Sequence, residues 1–437
     1  MRPGIRPPWR RRMSPAPHPT MNASNTPTVA RDSEVWQAVE AEARRQEEQL
    51  ELIASENHAS EEVMAAMGTC LTNKYAEGYP KRRYYGGCEH VDTIENLARA
   101  RAKALYGATH ANVQPHSGTQ ATIGALMALA EPGDEVLAMS LDHGGHLSHG
   151  HPKNASGRFY DFHHYGVDKE TERLDLDQIR EQALELRPKV IVAGGSAYPR
   201  LIDFADFASI AKEVGAKLLV DMAHISGLIA AGLHPTPVGH ADVISSSTHK
   251  TLRGPRAGFI LTTKEFNKAV NSAIFPGGQG GPLMHVVAAK AIAFAEAATP
   301  EFKSYVGQVL ENAQLLAAGL AERGLRIVSG GTDNHLMLVD VSSVGLSGAE
   351  AEDLLHAVGI TCNKNLIPFD QRPPVETSGI RLGTPAVTTR GFTADDSRQL
   401  ATWIADVLHN PSDEGLRNRI AGEVAELAAA RPIYAKG

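Results

Sequence analysis

Cysteine is scarce in this sequence, with only Cys70, Cys88 and Cys362 among 437 residues. Three scattered cysteines do not form the disulfide framework of a small secreted domain, and no Cys-x-x-Cys pair indicates a metal site. The scarcity favours a reducing compartment, and we predict a cytoplasmic location.

Long apolar runs and an excess of positive charge are also missing. No continuous apolar stretch reaches the roughly 18 residues that indicate a membrane-spanning helix. The formal net charge of −7 argues against a nucleic-acid partner, because phosphate binding favours a basic surface. The length still allows two or three folding units with a substantial core.

The first 31 residues differ in composition from the rest. They are rich in arginine and proline, and no acidic residue precedes Asp32. They lack the apolar segment of a secretory signal, and their prolines disfavour the amphipathic helix of a transit peptide. We predict that residues 1–30 are a disordered tail or an extension that is not native.

The remaining chain alternates helical periodicity with short apolar segments. A helix is predicted from Glu34 to about Ile53, whereas the glycines and proline of 75–87 predict an irregular stretch. The predicted strands are Ala111–Gln114, Glu135–Met139, Lys189–Ala193, Lys217–Val220, Asp242–Ser245 and Gly258–Leu261. Such short apolar strands flanked by helices are typical of a mostly parallel sheet covered on both faces.

A second, smaller α/β unit is predicted in the C-terminal part of the sequence. A long helical stretch begins near residue 300, and the apolar segment His335–Val341 follows it as a strand. We therefore predict a large domain at 91–299 and a small C-terminal domain at 300–437.

Polar residues follow several predicted strands, where open parallel sheets bind their ligands. The turn Ser117-Gly118-Thr119 opens a helix and is typical of a phosphate-binding site, although a simple capped helix explains it too. Asp221 and Lys250 follow successive strands, so neighbouring strand ends are predicted to present both to one cavity. An aspartate that only caps the next element is the alternative for Asp221.

Histidines at 143, 146, 149 and 151 follow the strand Glu135–Met139. Their spacing allows a metal, but no carboxylate or thiolate motif accompanies them, and we predict no metal site. A ring that packs flat against a planar cofactor explains His146 at least as well.

Together these features favour a site for pyridoxal phosphate. A lysine amine condenses with its aldehyde, and a carboxylate keeps its ring nitrogen protonated. Desolvation and nearby cations lower the pKa of a lysine, and we expect Arg253 and Arg256 to act on Lys250 in this way.

Eight segments of the sequence together resemble the serine hydroxymethyltransferases. They are 73–80, 83–88, 115–118, 220–224, 248–251, 275–285, 329–335 and 377–381. The resemblance runs from about residue 31 to the C-terminus. It implies the α/β fold of fold type I pyridoxal-phosphate transferases, with a mostly parallel seven-stranded sheet in the large domain. It also implies a homodimer or a dimer of dimers with shared active sites, in which 31–90 form an arm that contacts the partner subunit.

The resemblance also implies roles toward the cofactor. Lys250 matches the Schiff-base lysine, Asp221 the partner of the pyridine nitrogen, and His146 the ring that stacks on the cofactor. Tyr75 and the Gly280-Gly281 turn match groups that reach the phosphate from the other subunit. The implied cofactor-binding residues are Tyr75, Ser117, Gly118, Thr119, His146, Ser196, Asp221, His224, Lys250, Arg256, Gly280 and Gly281.

Further residues match those that bind the substrates. Arg381 matches the arginine that grips the α-carboxylate, and Glu77 the acid–base carboxylate near the substrate hydroxyl and the folate. Ser55, Glu77, Tyr85 and Arg381 are the implied amino-acid-binding residues, and Glu77, Tyr84, Leu141, Gly145, Leu147 and Asn365 the implied folate-binding residues. The expected catalytic residues are Lys250, Glu77, His146, Asp221, His224, Tyr85 and His249. Packing remains an alternative for Tyr84 and Tyr85, and a structural role for His249.

The resemblance implies reversible transfer of the serine hydroxymethyl group to tetrahydrofolate, giving glycine and 5,10-methylenetetrahydrofolate. A folate-independent aldolase of β-hydroxy amino acids is one alternative, and an α-methylserine hydroxymethyltransferase is another. Thr119, Asp142, Gly195 and Arg253 depart from the commoner family pattern and leave this preference open. A non-catalytic pyridoxal-phosphate protein is disfavoured, because Lys250, Asp221, Arg381 and Glu77 are all present. A nicotinamide enzyme is disfavoured because the glycines of 276–281 lack a βαβ context.

Overall fold

The computed structural model describes residues 32–434, so the predicted tail at 1–30 lies outside the described residues. Its helices are α1 Ser33–Glu48, α2 Glu61–Met67, α3 Glu89–Tyr106, α4 Gly118–Leu129, α5 Ala155–Phe159, α6 Leu176–Leu186, α7 Phe204–Val214, α8 Ser226–Ala230, α9 Asn267–Ser272, α10 Met284–Glu296, α11 Pro300–Glu322, α12 Gly348–Ala357, α13 Pro385–Thr389, α14 Ala394–His409 and α15 Glu414–Ala430. Between residues 32 and 434, no helix combines the length and apolar character needed to cross a membrane.

Fifteen short strands accompany these helices between residues 32 and 434. They are β1 Leu50–Glu51, β2 Gly78–Tyr79, β3 Arg82–Arg83, β4 His110–Asn112, β5 Glu135–Met139, β6 Asp161–Tyr165, β7 Val190–Ala193, β8 Lys217–Asp221, β9 Val243–Ser247, β10 Gly258–Thr262, β11 Arg326–Ile327, β12 Leu336–Asp340, β13 Ile360–Thr361, β14 Asn363–Asn365 and β15 Gly379–Gly383. One compact unit begins at Arg44, and all these strands belong to it.

The largest sheet has seven strands in the order β4-β10-β9-β8-β7-β5-β6. Neighbours from β6 to β9 pair in parallel, and β10 runs antiparallel to both β9 and β4. All residues of β7, β9 and β10 are buried, which explains their continuous apolar or small side chains. The mostly parallel sheet is as predicted, and the carboxyl ends of β5, β7, β8 and β9 meet at one edge.

Two sequence predictions of local structure are wrong, and one strand was not predicted. The helix predicted to reach about Ile53 ends at Glu48, because Leu50–Glu51 pairs in parallel with Ile360–Thr361 and is buried. The stretch predicted to be irregular contains the hairpin of β2 and β3. Strand β6 was not predicted, because it lies at the sheet edge and only Tyr165 of its five residues is buried.

The smaller sheet has the antiparallel order β11-β12-β15-β14. It packs in one apolar cluster with side chains of α11 and α14, including Leu316, Leu320 and Ile404. Helix α11 begins at Pro300, and Thr299 accepts a hydrogen bond from the N–H of Phe302, 3.2 Å away. The predicted helix near residue 300 is thus confirmed, whereas the domain limits at 91 and 300 stay predictions.

Candidate active site

A cavity of about 310 Å³ opens at the carboxyl ends of the parallel strands. Many of the predicted site residues line it, although they come from distant parts of the sequence. Its lining is Ser55, Ser117, Gly118, Thr119, His146, Gly195, Ser196, Asp221, Ala223, His224, Ser247, His249, Lys250, Arg256 and Arg381. The neighbouring parallel strands β8 and β9 bring Asp221 and Lys250 to this cavity, as the spacing predicts.

Asp221 ends β8, and its carboxylate has three hydrogen-bond donors. Nε2 of His149 lies 3.1 Å and Oγ1 of Thr122 lies 3.3 Å from Oδ2, while the N–H of Ala223 donates to Oδ1 over 3.0 Å. Burial favours a higher pKa for Asp221, but His149, with smaller effects of His146 and Lys250, holds that pKa well below its usual range. The cavity therefore contains an ionised carboxylate, which stabilises a cationic ligand atom.

Lys250 faces this carboxylate from the end of β9. Burial lowers the pKa of its amine to about 8; Asp221 opposes the shift, and Arg381 and Arg256 add to it. Arg253, also expected to lower this pKa, has its guanidinium over the Tyr305 ring instead, 4.8 Å from the centroid. A fraction of Lys250 is thus neutral near physiological pH, as a nucleophilic amine requires.

The cavity wall formed by Ser117, Gly118 and Thr119 is the start of α4. Oγ of Ser117 accepts a hydrogen bond from the N–H of Gln120 over 3.1 Å and caps the helix. The first N–H groups of a helix lack partners within it, and they bind anions such as phosphate. The capped helix and the phosphate site are thus compatible interpretations of this turn.

Two polar atoms of the cavity-lining residues have no partner in the part of the chain that the structure describes. They are Oγ of Ser247 and Nδ1 of His249, and both are buried. Buried polar atoms are normally satisfied, so a polar ligand is expected here. An amine, an ionised carboxylate and a helix N-terminus in one cavity fit the aldehyde, ring nitrogen and phosphate of pyridoxal phosphate.

His146 is partly buried and lines the same cavity. Its Nδ1 accepts a hydrogen bond from the N–H of Ser148 over 3.1 Å. Burial lowers the pKa of His146 to about 4, and the nearby His149 adds to the shift. A neutral ring is thus available to pack against an aromatic ligand.

The histidine segment has no carboxylate motif of its own, but the fold brings Asp221, at the end of β8, beside it. Ligand atoms of His146, His149 and Asp221 lie within 4.8 Å of one another. His149 nevertheless hydrogen-bonds Asp221 directly. His143 lies elsewhere, where its Nδ1 accepts a hydrogen bond from the N–H of Val167 over 3.0 Å.

His224 lines the cavity and is backed by His335, which precedes β12. Nδ1 of His224 lies 3.3 Å from Nε2 of His335, and the rings stack at 22°. Burial lowers the pKa of His224, and that of His335 falls to about 3 for the same reason. A neutral, hydrogen-bonded imidazole therefore forms this wall.

Arg381 reaches the cavity from β15 of the smaller sheet. Its Nη1 donates to the carbonyl of Ser196 over 2.9 Å, and its Nε donates to Oδ1 of Asn363 over 3.2 Å. Burial lowers the pKa of this guanidinium to about 10, so it stays cationic at neutral pH. It is suited to binding a carboxylate.

Five other predicted site residues form a second cluster, outside this cavity. The hydroxyl of Tyr75 donates to Oε1 of Glu77 over 3.1 Å, and the rings of Tyr75 and Tyr85 meet edge to face at 5.1 Å. A Cβ built on Gly280 would lie 3.2 Å from Glu77 Oε1, and one on Gly281 would lie 3.5 Å from the Tyr75 ring. Tyr75 and Tyr85 are at least half exposed, so this cluster has a solvent-accessible face.

The remaining predicted residues are spread more widely. Leu141 and Leu147 are exposed on the loop that carries His146. Gly145 lies between them, where a Cβ would come 2.2 Å from the carbonyl oxygen of Met139. Asn365 lies in β14, with its amide donating to Leu366 O over 2.6 Å. Tyr84 is also exposed, with its ring 5.5 Å from Phe275.

Sequence reasoning missed two residues that support the cavity, His149 and His335. Both lie within segments that the sequence pattern singles out, His149 in the histidine cluster and His335 at the end of 329–335. Neither had a signal for its partner, because the contacts with Asp221 and His224 join segments far apart in the chain.

Residues 28–404 match a protein-family model described as serine hydroxymethyltransferase. The matched range includes every residue that lines the cavity and every residue of the Tyr75–Glu77 cluster.

Proposed function

We propose, since this chain belongs to the serine hydroxymethyltransferase family, that it reversibly transfers the hydroxymethyl group of serine to tetrahydrofolate. The products are glycine and 5,10-methylenetetrahydrofolate. Membership of the family confirms the predicted fold class, fold type I of the pyridoxal-phosphate enzymes, and makes the chain a pyridoxal-phosphate-dependent transferase. The choice of serine and folate is the part that we propose.

One observation carries the proposal: the Lys250 amine, the Asp221 carboxylate and the N-terminus of α4 share one cavity. Bound there, pyridoxal phosphate would supply an aldehyde and an aromatic ring that accepts electron density when a bond to the amino-acid Cα breaks. Lys250 supplies the amine for the aldehyde, and Asp221 holds the proton on the ring nitrogen. Ser117, Gly118, Thr119 and Arg256 bind the phosphate.

The other cavity residues are assigned to orientation and substrate binding. His146 packs its neutral ring on the cofactor, while His224 and Ser196 contact its hydroxyl side. Arg381 binds the α-carboxylate of the amino acid, and Ser55 lines the same end. His249, whose Nδ1 has no partner within the described chain, shapes the pocket beside Lys250.

Glu77 is the proposed acid–base group, and its position supports a shared site. Glu77, Tyr75 and Tyr85 do not line the cavity of their own chain. Their accessible cluster with Gly280 and Gly281 is available to a second copy of the chain. We therefore propose a homodimer, alone or paired into a tetramer, in which this cluster completes the partner's cavity; 31–90 contribute to the contact.

Tetrahydrofolate is proposed to lie on the loop that carries His146. Leu141 and Leu147 expose apolar surface there, suited to the flat face of a pterin ring. Gly145, Tyr84 and Asn365 are the other proposed contacts. A cytoplasmic location, as the cysteine content predicts, fits this chemistry.

The test compares glycine formation from serine with and without tetrahydrofolate, using purified protein and pyridoxal phosphate. Threonine and α-methylserine serve as alternative substrates. We expect serine cleavage to depend on folate and to exceed the cleavage of both alternatives. Equal rates without folate would favour the aldolase, and faster turnover of α-methylserine would favour that hydroxymethyltransferase. No turnover of any substrate would contradict the proposal.

A further inference from the structure

Lys290, in the middle of α10, is a buried lysine whose hydrogen-bond acceptors within residues 32–434 are all backbone carbonyls. It is 1 % exposed, and its Nζ donates to the carbonyls of Val113, Pro115 and Gly258 over 2.7, 2.9 and 2.7 Å. Three acceptors match the three N–H groups of an ammonium, whereas a neutral amine has only two. The geometry therefore fits the charged form of Lys290.

The three carbonyls belong to the support of the α4 N-terminus. Val113 follows β4, Pro115 lies two residues before the helix cap Ser117, and Gly258 begins β10. The N–H of Gly258 also donates to the carbonyl of Pro115 over 3.2 Å. Lys290 thus cross-links two strands at the point where the chain turns toward the cavity.

Gly258, one end of this cross-link, packs closely against the cavity wall. A Cβ built on Gly258 would lie 2.2 Å from the carbonyl oxygen of Ser117 and 3.0 Å from the nitrogen of Gly118. The first residue of β10 therefore lies directly against the Ser117–Gly118 peptide. Fixing Gly258 fixes the direction of the N–H groups at the start of α4.

On its other side, the chain segment 114–116 is bound by an uncharged side chain. Oε1 of Gln279 accepts a hydrogen bond from the N–H of His116 over 2.9 Å, and its Nε2 donates to the carbonyl of Gln114 over 3.0 Å. The amide of Gln279 thus matches one donor and one acceptor. At Lys290 the loop instead has a buried cation, which is costly to bury unless it is compensated.

We propose that Lys290 is a positioning residue for the phosphate group of the cofactor. Its ammonium holds residues 115–119 with the N–H groups of α4 toward the cavity, and it places a positive charge behind them. This inference rests on the proposed function, which assigns pyridoxal phosphate to the cavity.

The energetics of Lys290 support a link to an anionic ligand. Burial lowers the pKa of this amine to about 7, and Glu95 is the group that opposes the shift. A phosphate bound at the start of α4 would stabilise the ammonium further. Because such linkage is reciprocal, the ammonium must strengthen phosphate binding by the same factor.

The test separates phosphate recognition from general damage to the site. Dissociation constants of the apoprotein for pyridoxal phosphate and for pyridoxal are measured for the wild type, Lys290→Met and Val287→Ala. Val287 is a buried neighbour on α10 and serves as a matched destabilising control. Loss of a charged hydrogen-bonding group should reduce the preference for the phosphorylated ligand about tenfold or more in Lys290→Met. Val287→Ala should keep that preference.

Two outcomes would overturn the inference. One is that Lys290→Met keeps the wild-type preference for pyridoxal phosphate over pyridoxal. The other is that Lys290→Met loses affinity equally for both ligands, which indicates a purely structural role. If Lys290→Met does not fold, Lys290→Gln, which keeps two N–H donors without charge, must show the loss of preference. A wild-type protein that does not prefer pyridoxal phosphate over pyridoxal would instead refute the proposed function, and the inference with it.

Discussion

His149 donates a hydrogen bond from Nε2 to Oδ2 of Asp221, 3.1 Å away. The backbone N–H of His146 donates to Nδ1 of His149 over 3.3 Å. Because Nδ1 of His149 is an acceptor, a neutral His149 ring has its proton on Nε2. Both side chains are largely buried. The loop that carries His146 thus also fixes the carboxylate at the end of β8.

Replacing His149 by Ala should weaken cofactor binding. Asp221 then loses its nearest side-chain donor while it stays buried, so its pKa rises and the ring nitrogen of the ligand is protonated less readily. We expect a loss of pyridoxal-phosphate affinity of about tenfold or more, measured by titrating the apoprotein. His151→Ala, in the same loop, is the control, and equal affinities of the two variants would refute the role of His149.

Condensation of pyridoxal phosphate with the apoprotein should depend on pH through Lys250. Only the neutral amine reacts, and its pKa is lowered from 10.5 to about 8. The stopped-flow rate should therefore rise with pH and level off above about 8. Arg381→Gln removes a cation that lowers this pKa, so its profile should shift to higher pH. A wild-type midpoint near 10.5 would contradict the burial of the amine.

Mixing two inactive variants should restore activity if the site is shared. Lys250→Ala removes the amine of its own cavity, and Glu77→Gln removes the carboxylate offered to the partner. Random reassembly of a dimer gives one intact site in each mixed dimer, or about a quarter of the wild-type sites. Turnover after joint refolding measures this, and each variant refolded alone is the control. Recovery near zero would indicate that Glu77 acts within its own chain.

A methyl group at Gly258 should disturb the cavity wall. Its Cβ would come 2.2 Å from the carbonyl oxygen of Ser117, so one of the two backbones must move. We expect Gly258→Ala to lower the free energy of unfolding by about 1–3 kcal/mol and to weaken cofactor binding. In Gly422→Ala the new Cβ has no neighbour within 4 Å, and this helix should gain about 0.5–1 kcal/mol. Thermal unfolding of the two variants gives both changes in stability. Equal changes would contradict the close contact between Gly258 and Ser117.

The sequence predicts the central strands because burial on both faces of the sheet requires short runs of apolar or small residues. Strands β7, β8 and β9 are covered on both faces, so their side chains form short, almost fully buried runs. The edge strand β6 has polar residues and no such pattern. The two-residue strand β1 is decided by its pairing with β13, which no local periodicity reveals.

The candidate site also contains some residues that the sequence predicts and others that it does not. Lys250 and Asp221 are predictable because strand ends place them. His149 and Lys290 depend on partners in distant segments, and spacing does not identify those partners. Arg253 was assigned wrongly, because proximity in sequence to Lys250 does not fix direction; with φ at 59°, its side chain lies over Tyr305.

The pairing of β4 with β10 affects how the protein is made. The turn that starts α4 lies early in the chain, but its supports, Gly258 and Lys290, are added only after most of the large sheet has been synthesised. Contacts between such distant segments form slowly. A growing chain that already contains Asp221 and Lys250 still lacks the supports of its phosphate-binding wall. We therefore expect cofactor capture to require a chain that extends at least to Lys290.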